Sequence, residues 1–150
     1  EAITQLIKSV NKDVVIIFTI SPVRHLKDGF IENTQSKSHL IAAIHQLVAP
    51  RKNTHYFPSY EMMMDELRDY RFYKEDMIHP NKIAVQYIWE KFVNTWFTEK
   101  SIFIMKDIDT IQKGIAHKPF NEESEQHQKF LANLNAKKTK LQEQFPFLDF

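Results

Sequence analysis

The sequence predicts an α/β protein that ends in an antiparallel helical hairpin. Residues 14–20 (VVIIFTI) are a short, nearly unbroken β-branched and aromatic run. Continuous rather than alternating apolarity is the pattern of an interior parallel strand covered on both faces. A second short run, His55-Tyr56-Phe57, follows a stretch of helical periodicity. Residues 14–57 therefore read as strand–helix–strand, with a right-handed crossover expected. Beyond Thr98, Ile104, Ile108, Ile111 and Ile115 repeat at spacings of four, three and four. After a break at Lys118-Pro119 a polar helical stretch runs from about 121 to 144, which supplies the second arm of the hairpin.

The elements follow in order. Ile3, Leu6, Ile7 and Val10 are spaced three and four apart, as on one face of a helix, and Asn11 and Asp13 break it. Ser21-Pro22 ends the first strand, because proline cannot donate to a ladder. Residues 24–35 are polar, hold Gly29 and show no period, so they read as a loop. Ser36 or Ser38 can cap a helix that carries Leu40, Ile41, Ile44, Leu47 and Val48 and stops at Pro50. Residues 60–67 (YEMMMDEL) read as a short helix with its methionines as core filler, and 68–76 as a charged, aromatic loop. Pro80 opens the longest helix at its first position, where a missing N–H costs nothing. Ala84, Ile88, Phe92 and Trp96 form a stripe with Val85, Trp89, Val93 and Phe97 beside it. The apolar tail, 145–150, is expected to dock. Two domains are expected, 1–98 and 99–150.

Composition narrows the function. Lys+Arg 20 against Asp+Glu 19 leaves a net charge of +1, and the aromatic residues ride on helical stripes, so no nucleic-acid platform is expected. No apolar run approaches the ~20 residues that span a bilayer, and no signal-peptide core is visible. Zero cysteines exclude disulfides, thiolate metal sites and cysteine nucleophiles, and fit a cytoplasmic location. His39 and His45 lie six residues apart on one helix and cannot share a metal, so none is expected. The chain has only 2 glycines, where average usage of about 7% would give roughly ten. An α/β enzyme spends glycine on tight turns and ligand approaches. With an opening inside a helix, this scarcity predicts the C-terminal portion of a larger fold.

Two motifs carry chemistry. In Asp76-Met77-Ile78-His79-Pro80-Asn81, the histidine sits at a loop-to-helix junction with a carboxylate three residues earlier. That carboxylate can curl back to Nδ1–H and orient Nε2 outward as a general base. The alternative is that Asp76 or Asn81 caps the helix and His79 is a surface residue. In Ser21-Pro22-Val23-Arg24-His25, the residues follow the buried strand at its carboxyl end, where open parallel sheets bind ligands. Arg24 can hold a carboxylate or phosphate through its planar fork; the alternative is an ion pair with Asp28 or Glu32, with His25 lining the loop.

The stretches IIFTISPVRHLKDGFIENTQSKSHLIAAIH, YFPSYEMMMDELRDYRFYKEDMIHPN and AVQYIWEKF resemble the C-terminal half of the GSCFA-domain proteins, a bacterial family placed among the SGNH (GDSL-type) hydrolases. The resemblance covers about residues 14–96 and the helical tail more loosely. It implies part of a flavodoxin-like, three-layer α/β/α fold whose final Asp-x-x-His block falls on Asp76 and His79. It further implies serine acyl transfer on an ester, a small molecule or an O-acylated carbohydrate, with no metal or organic cofactor. His79 would be the general base and then general acid, Asp76 its orienting partner, and Arg24, His25 and Ser21 substrate-side residues. The chain departs from the pattern in three ways. It has no cysteine, so it holds no Gly-Ser-Cys-Phe-Ala nucleophile motif; the glycine and asparagine of the oxyanion hole precede residue 14; and the glycine usual five residues after the histidine is Ala84. Ser21 makes a poor substitute nucleophile, since Pro22 has no N–H to offer an oxyanion. The resemblance therefore implies an inactive half, with a missing N-terminal half or a second copy as partner. The rival reading is a non-catalytic interaction module that uses the hairpin.

Overall fold

A computed structural model describes all of residues 1–150, which divide into two compact units, Glu1–Thr95 and Trp96–Phe150. The first unit is a mixed α/β assembly. Its elements are α1 (Ala2–Val10), β1 (Ile16–Thr19), α2 (Phe30–Val48), β2 (Thr54–Phe57), α3 (Ser59–Glu61) and α4 (Lys82–Trp96). A π-helical turn at Met62–Glu66 and a 3-10 turn at Tyr70–Phe72 lie between α3 and α4.

β1 and β2 pair in parallel, with Ile16 opposite Thr54 and Thr19 opposite Phe57, as the β-branched run and the intervening helix require. The Ile16 N–H donates to Asn53 O at 2.9 Å. Backbone groups of alternate residues face opposite neighbours in a sheet, so Ile16 and Phe18 turn toward β2 while Ile17 and Thr19 turn toward the open edge. Side chains alternate likewise. On one face Ile17 and Phe57 meet Ile88 and Phe92 of α4 around an apolar cleft of about 430 Å³, which Pro22 and Pro80 also line. Phe57 and Phe92 pack edge to face there, 5.0 Å apart.

Four expectations need correction. β1 is not an interior strand covered on both faces: the sheet has two strands, Ile16, Ile17 and Phe18 are half-buried and Thr19 is exposed. α2 begins at Phe30, six residues before the expected serine cap, with Gly29 as its first half-turn at φ 116°. That angle suits only glycine, and it lets the helix start within a polar stretch that has no apolar period. Pro80 is not the first residue of α4. It forms an antiparallel bridge with Tyr73, and Asn81 caps the helix by accepting the N–H groups of Ile83 and Ala84 at 3.1 Å. The loop expected over 68–76 contains the 3-10 turn, capped by Asp69, which accepts the Arg71 N–H at 2.8 Å.

A compact core lies below that turn. Met63, Leu67, Tyr73 and Ala84 are buried together, with Met64, Phe72, Tyr87 and Ile88 packed around them. Ala84 is wholly buried, so the small side chain at this position of α4 lets the helix approach the Tyr73 segment. On α1, by contrast, Ile3, Leu6 and Val10 are exposed and Thr4 is buried.

The second unit is the helical hairpin, α5 (Glu99–Ala116) and α6 (Glu125–Gln144), each capped by a hydroxyl, Thr98 and Ser124. Ile111, Leu134 and Leu141 form its core, and Phe145, Leu148 and Phe150 fold back onto it, so the apolar tail docks within its own unit. No helix in the chain is long and apolar enough to cross a membrane.

Candidate active site

Asp76 and His79 meet through a local turn. Asp76 Oδ1 accepts the backbone N–H groups of Ile78 and His79, both at 2.9 Å, while Oδ2 lies 2.8 Å from His79 Nδ1. The same carboxylate thus closes the turn and holds the ring. These contacts favour the ionised form, so the carboxyl is drawn down to about 2, first by the His79 N–H, then by the Ile78 N–H and the imidazole. Both side chains are about half exposed, at 51% for His79 and 43% for Asp76. With Nδ1 engaged, Nε2 is the nitrogen left to face solvent or substrate.

The surrounding chain fixes this turn. Lys74 N–H donates to His79 O at 2.8 Å, and Met77 N–H to Lys74 O at 2.9 Å. Met77 sits in the left-handed region at φ 59°, uncommon for an unbranched, non-glycine residue. Asn81 ties the far end, donating its N–H to Phe72 O at 2.8 Å and its amide to Arg71 O at 2.6 Å. Two local contacts that the sequence allowed are both made: Asn81 caps α4, and Asp76 contacts Nδ1 of His79.

Arg24 does not make the local ion pair the sequence allowed. It pairs with neither Asp28 nor Glu32, and its guanidinium is already engaged. The Arg24 N–H donates to Ile78 O and Nη1 to Met77 O, each at 3.2 Å. The guanidinium carbon lies 4.2 Å from the Tyr73 ring centroid and 5.3 Å from that of Tyr70. His25 takes the ion-pair role instead, with Nδ1 3.5 Å from Asp28, and its N–H donates to Asn33 Oδ1 at 2.8 Å. Ser21 Oγ accepts the Val23 N–H at 3.2 Å, a local turn contact, and its carbonyl accepts from Lys37 at 2.7 Å. The structure thus brings Arg24 to the Asp76–His79 turn, while Ser21 and His25 make contacts within their own loop and with Lys37 and Asn33 of α2.

Two residues at the strand ends escaped the sequence reading. Lys37 is buried, its ammonium donated to Ser21 O and 5.5 Å from the Tyr60 ring centroid, and burial lowers its pKa. Ser59 is buried, donates to Ile20 O and lies 2.7 Å from Thr19 Oγ1, which donates to Phe57 O. No signal marks either one, because a lysine in a polar helix and a serine after a proline both read as surface. No group of three histidines or carboxylates gathers to hold a metal ion.

Residues 1–92 match the family model described as the GSCFA family, and residues 108–150 match that of the GSCFA domain protein, C-terminal domain. No curated protein and no solved structure matches the chain. The first match spans well over half of the sequence and includes the Asp76–His79 turn and both strands: the chain belongs to the GSCFA family.

Proposed function

We propose that this chain carries the acid–base pair of an ester hydrolase of the SGNH type, with His79 as general base and then general acid and Asp76 as its orienting partner. The observation that supports this reading is the 2.8 Å contact from Asp76 to Nδ1, which fixes the tautomer with its proton on Nδ1. Nε2 is then free to take a proton from an attacking hydroxyl and deliver it to the leaving alcohol. An oriented imidazole of this kind needs a nucleophile, which in the reading proposed comes from a polypeptide segment bearing the Gly-Ser-Cys-Phe-Ala motif. The chain itself has no cysteine and hence no such motif. The bond made is serine oxygen to acyl carbon and the bond broken is acyl carbon to alkoxy oxygen. Water then attacks the acyl carbon, the serine oxygen–acyl bond breaks, the acid leaves and His79 returns the proton to the serine oxygen. The ester proposed is a small molecule or an O-acylated carbohydrate, beside a guanidinium whose Nη1 is held by Met77 O and whose carbon lies over two tyrosine rings.

The test is nitrophenyl-ester hydrolysis by this chain alone and by a protein that joins it to a Gly-Ser-Cys-Phe-Ala segment. Activity is expected only in the second, with a loss of ~10²–10⁴ on His79→Ala, the usual contribution of a general acid–base group. Undiminished turnover in His79→Ala would sink the reading.

The free edge of β1 supports a partner of the same kind. Ile17 and Thr19 present unpaired backbone groups beside an apolar cleft, so an extended segment of another polypeptide is the complement proposed. A second reading, of the hairpin as an interaction module, draws on the exposure of Phe103, Phe120 and Phe147 around its closed core.

A further inference from the structure

We propose that Arg24 is a positioning residue for the Asp76–His79 pair, holding the turn that carries them against the end of β1. The inference rests on the reading of that pair as an acid–base unit, and its test is chosen to be independent of turnover.

Arg24 is 53 residues from Met77 in sequence, yet it grips the turn at two successive carbonyls. Its main-chain N–H takes Ile78 O and its Nη1 takes Met77 O. These two residues occupy the middle of the turn, between the carboxylate at 76 and the imidazole at 79. Met77 is the one held at positive φ, a conformation that persists only where its surroundings enforce it. The Asp76 contacts come from inside the turn; the Arg24 contacts come from outside and tie it to the strand.

The third attachment is the stack on Tyr73 and Tyr70. Tyr73 is buried in the core that includes Ala84 of α4, and it forms the bridge to Pro80 directly after His79. Arg24 therefore links three pieces of chain: the end of β1, the 3-10 turn and the acid–base turn. A planar guanidinium can lie on a ring and donate in its own plane at the same time, which an ammonium does not do. This geometry explains why arginine stands here.

The experiment compares Arg24→Lys, Arg24→Met and Arg24→Ala in the 150-residue chain by NMR, following the low-field resonance of the His79 Nδ1 proton and amide exchange at Ile78 and His79. Arg24→Ala is expected to lose the Nδ1 signal to solvent exchange and to speed amide exchange at both positions by about tenfold or more, as local opening becomes easier. Arg24→Lys, which keeps the cation over the rings, is expected to restore part of both. Arg24→Met keeps the stem packed on Tyr73 and provides a folded comparison should the alanine variant fail to fold. Unchanged Nδ1 signal and exchange in both Arg24→Met and Arg24→Lys would overturn the proposal. So would unchanged signals together with a KM raised for an anionic ester only, read in the protein joined to the Gly-Ser-Cys-Phe-Ala segment, which would make Arg24 a substrate contact. Lost Nδ1 signal in a protein that hydrolyses no ester would leave the positioning role standing and remove the hydrolase reading alone.

Discussion

Asp76 holds His79 at two points, its N–H through Oδ1 at 2.9 Å and its ring through Oδ2 at 2.8 Å. One carboxylate thus sets both the path of the backbone and the direction of the imidazole. Removing it loosens both, whereas removing the ring leaves the turn intact.

In a protein joined to the nucleophile segment, His79→Ala should therefore lower kcat more than Asp76→Ala, since the histidine moves the proton and the aspartate orients it. Thermal stability should rank the other way, because Asp76→Ala also leaves the Ile78 and His79 N–H groups without their acceptor. Losses below about tenfold for both variants would place the pair outside the range of general acid–base catalysis.

The same carboxylate predicts a pH dependence. Its pKa in the folded chain, about 2, lies below the ordinary value, roughly 3.9 in an unfolded chain. The folded state therefore binds fewer protons there, and the contribution of the turn is fully present above about pH 4. It fades as pH falls toward 2. Carbon NMR of the Asp76 carboxyl should show a midpoint near 2 and, in His79→Ala, a midpoint higher than that but still below the ordinary value, because the backbone donors remain. A midpoint near 3.9 in the unsubstituted chain would contradict the geometry.

How much of this was legible in sequence depends on how far apart the partners lie. Asp76 and His79 are three residues apart, and local spacing suffices to put a carboxylate on Nδ1. β1 was visible as a β-branched run and β2 as a short aromatic run between a helical stretch and a proline, although β1 lies half-buried at an open edge rather than inside the sheet. The start of α2 was hidden, since Phe30 to Gln35 are mostly polar and only the glycine's backbone freedom makes the entry possible. The start of α4 was displaced by two residues, because Pro80 serves a bridge to Tyr73 that the local pattern does not announce. Arg24 was placed at the right end of the strand but given the wrong partner. Its choice between an acidic neighbour and two tyrosines 46 and 49 residues away is decided by the tertiary fold.

Lys37 offers a stability test at the same end of the sheet. Its buried ammonium satisfies Ser21 O at 2.7 Å, directly where β1 turns into the Arg24 segment. Lys37→Ala removes the donor and the packing of the stem together. It should cost about 0.5–1.5 kcal/mol in urea unfolding, the usual net contribution of a hydrogen bond, since Ser21 is exposed. Lys37→Met, which keeps the stem, should cost less. Equal stability of all three chains would mean that water replaces the ammonium freely.

Gly114 tests the hairpin. A Cβ at this position of α5 would stand 2.6 Å from Leu134 Cδ1 and 3.1 Å from Cδ2, and Leu134 is buried beside Ile111 and Leu141. Gly114→Ala gains up to ~1 kcal/mol of helix propensity, against about 1–3 kcal/mol for overfilling a packed core. Net destabilisation is expected, with Leu134→Val relieving part of it in the double variant. A simple gain in stability for Gly114→Ala would show that Leu134 has room to turn aside.

The edge of β1 gives the last test. Its four residues, Ile16–Thr19, carry no charge and no proline, the devices that usually blunt an exposed edge. Parallel strands are rarely left with a single neighbour, and a two-stranded sheet is marginal without further cover. Beside that edge, Val15 is exposed and the apolar cleft opens between the sheet and α4; elsewhere on the surface, Ile3, Leu6 and Val10 of α1 are exposed too. A net charge of +1 provides little repulsion between copies. The 150-residue chain should therefore self-associate as its concentration rises, with β1 of one copy lying along β1 of the next. Val15→Lys puts an ammonium on the exposed residue that leads into the edge, without touching the pairing with β2. Light scattering should show a concentration-dependent rise in mass for the unsubstituted chain and a monomer for Val15→Lys. A monomer in both would mean that this edge is content without a neighbour, and assembly unaffected by the lysine would move the contact to another apolar surface.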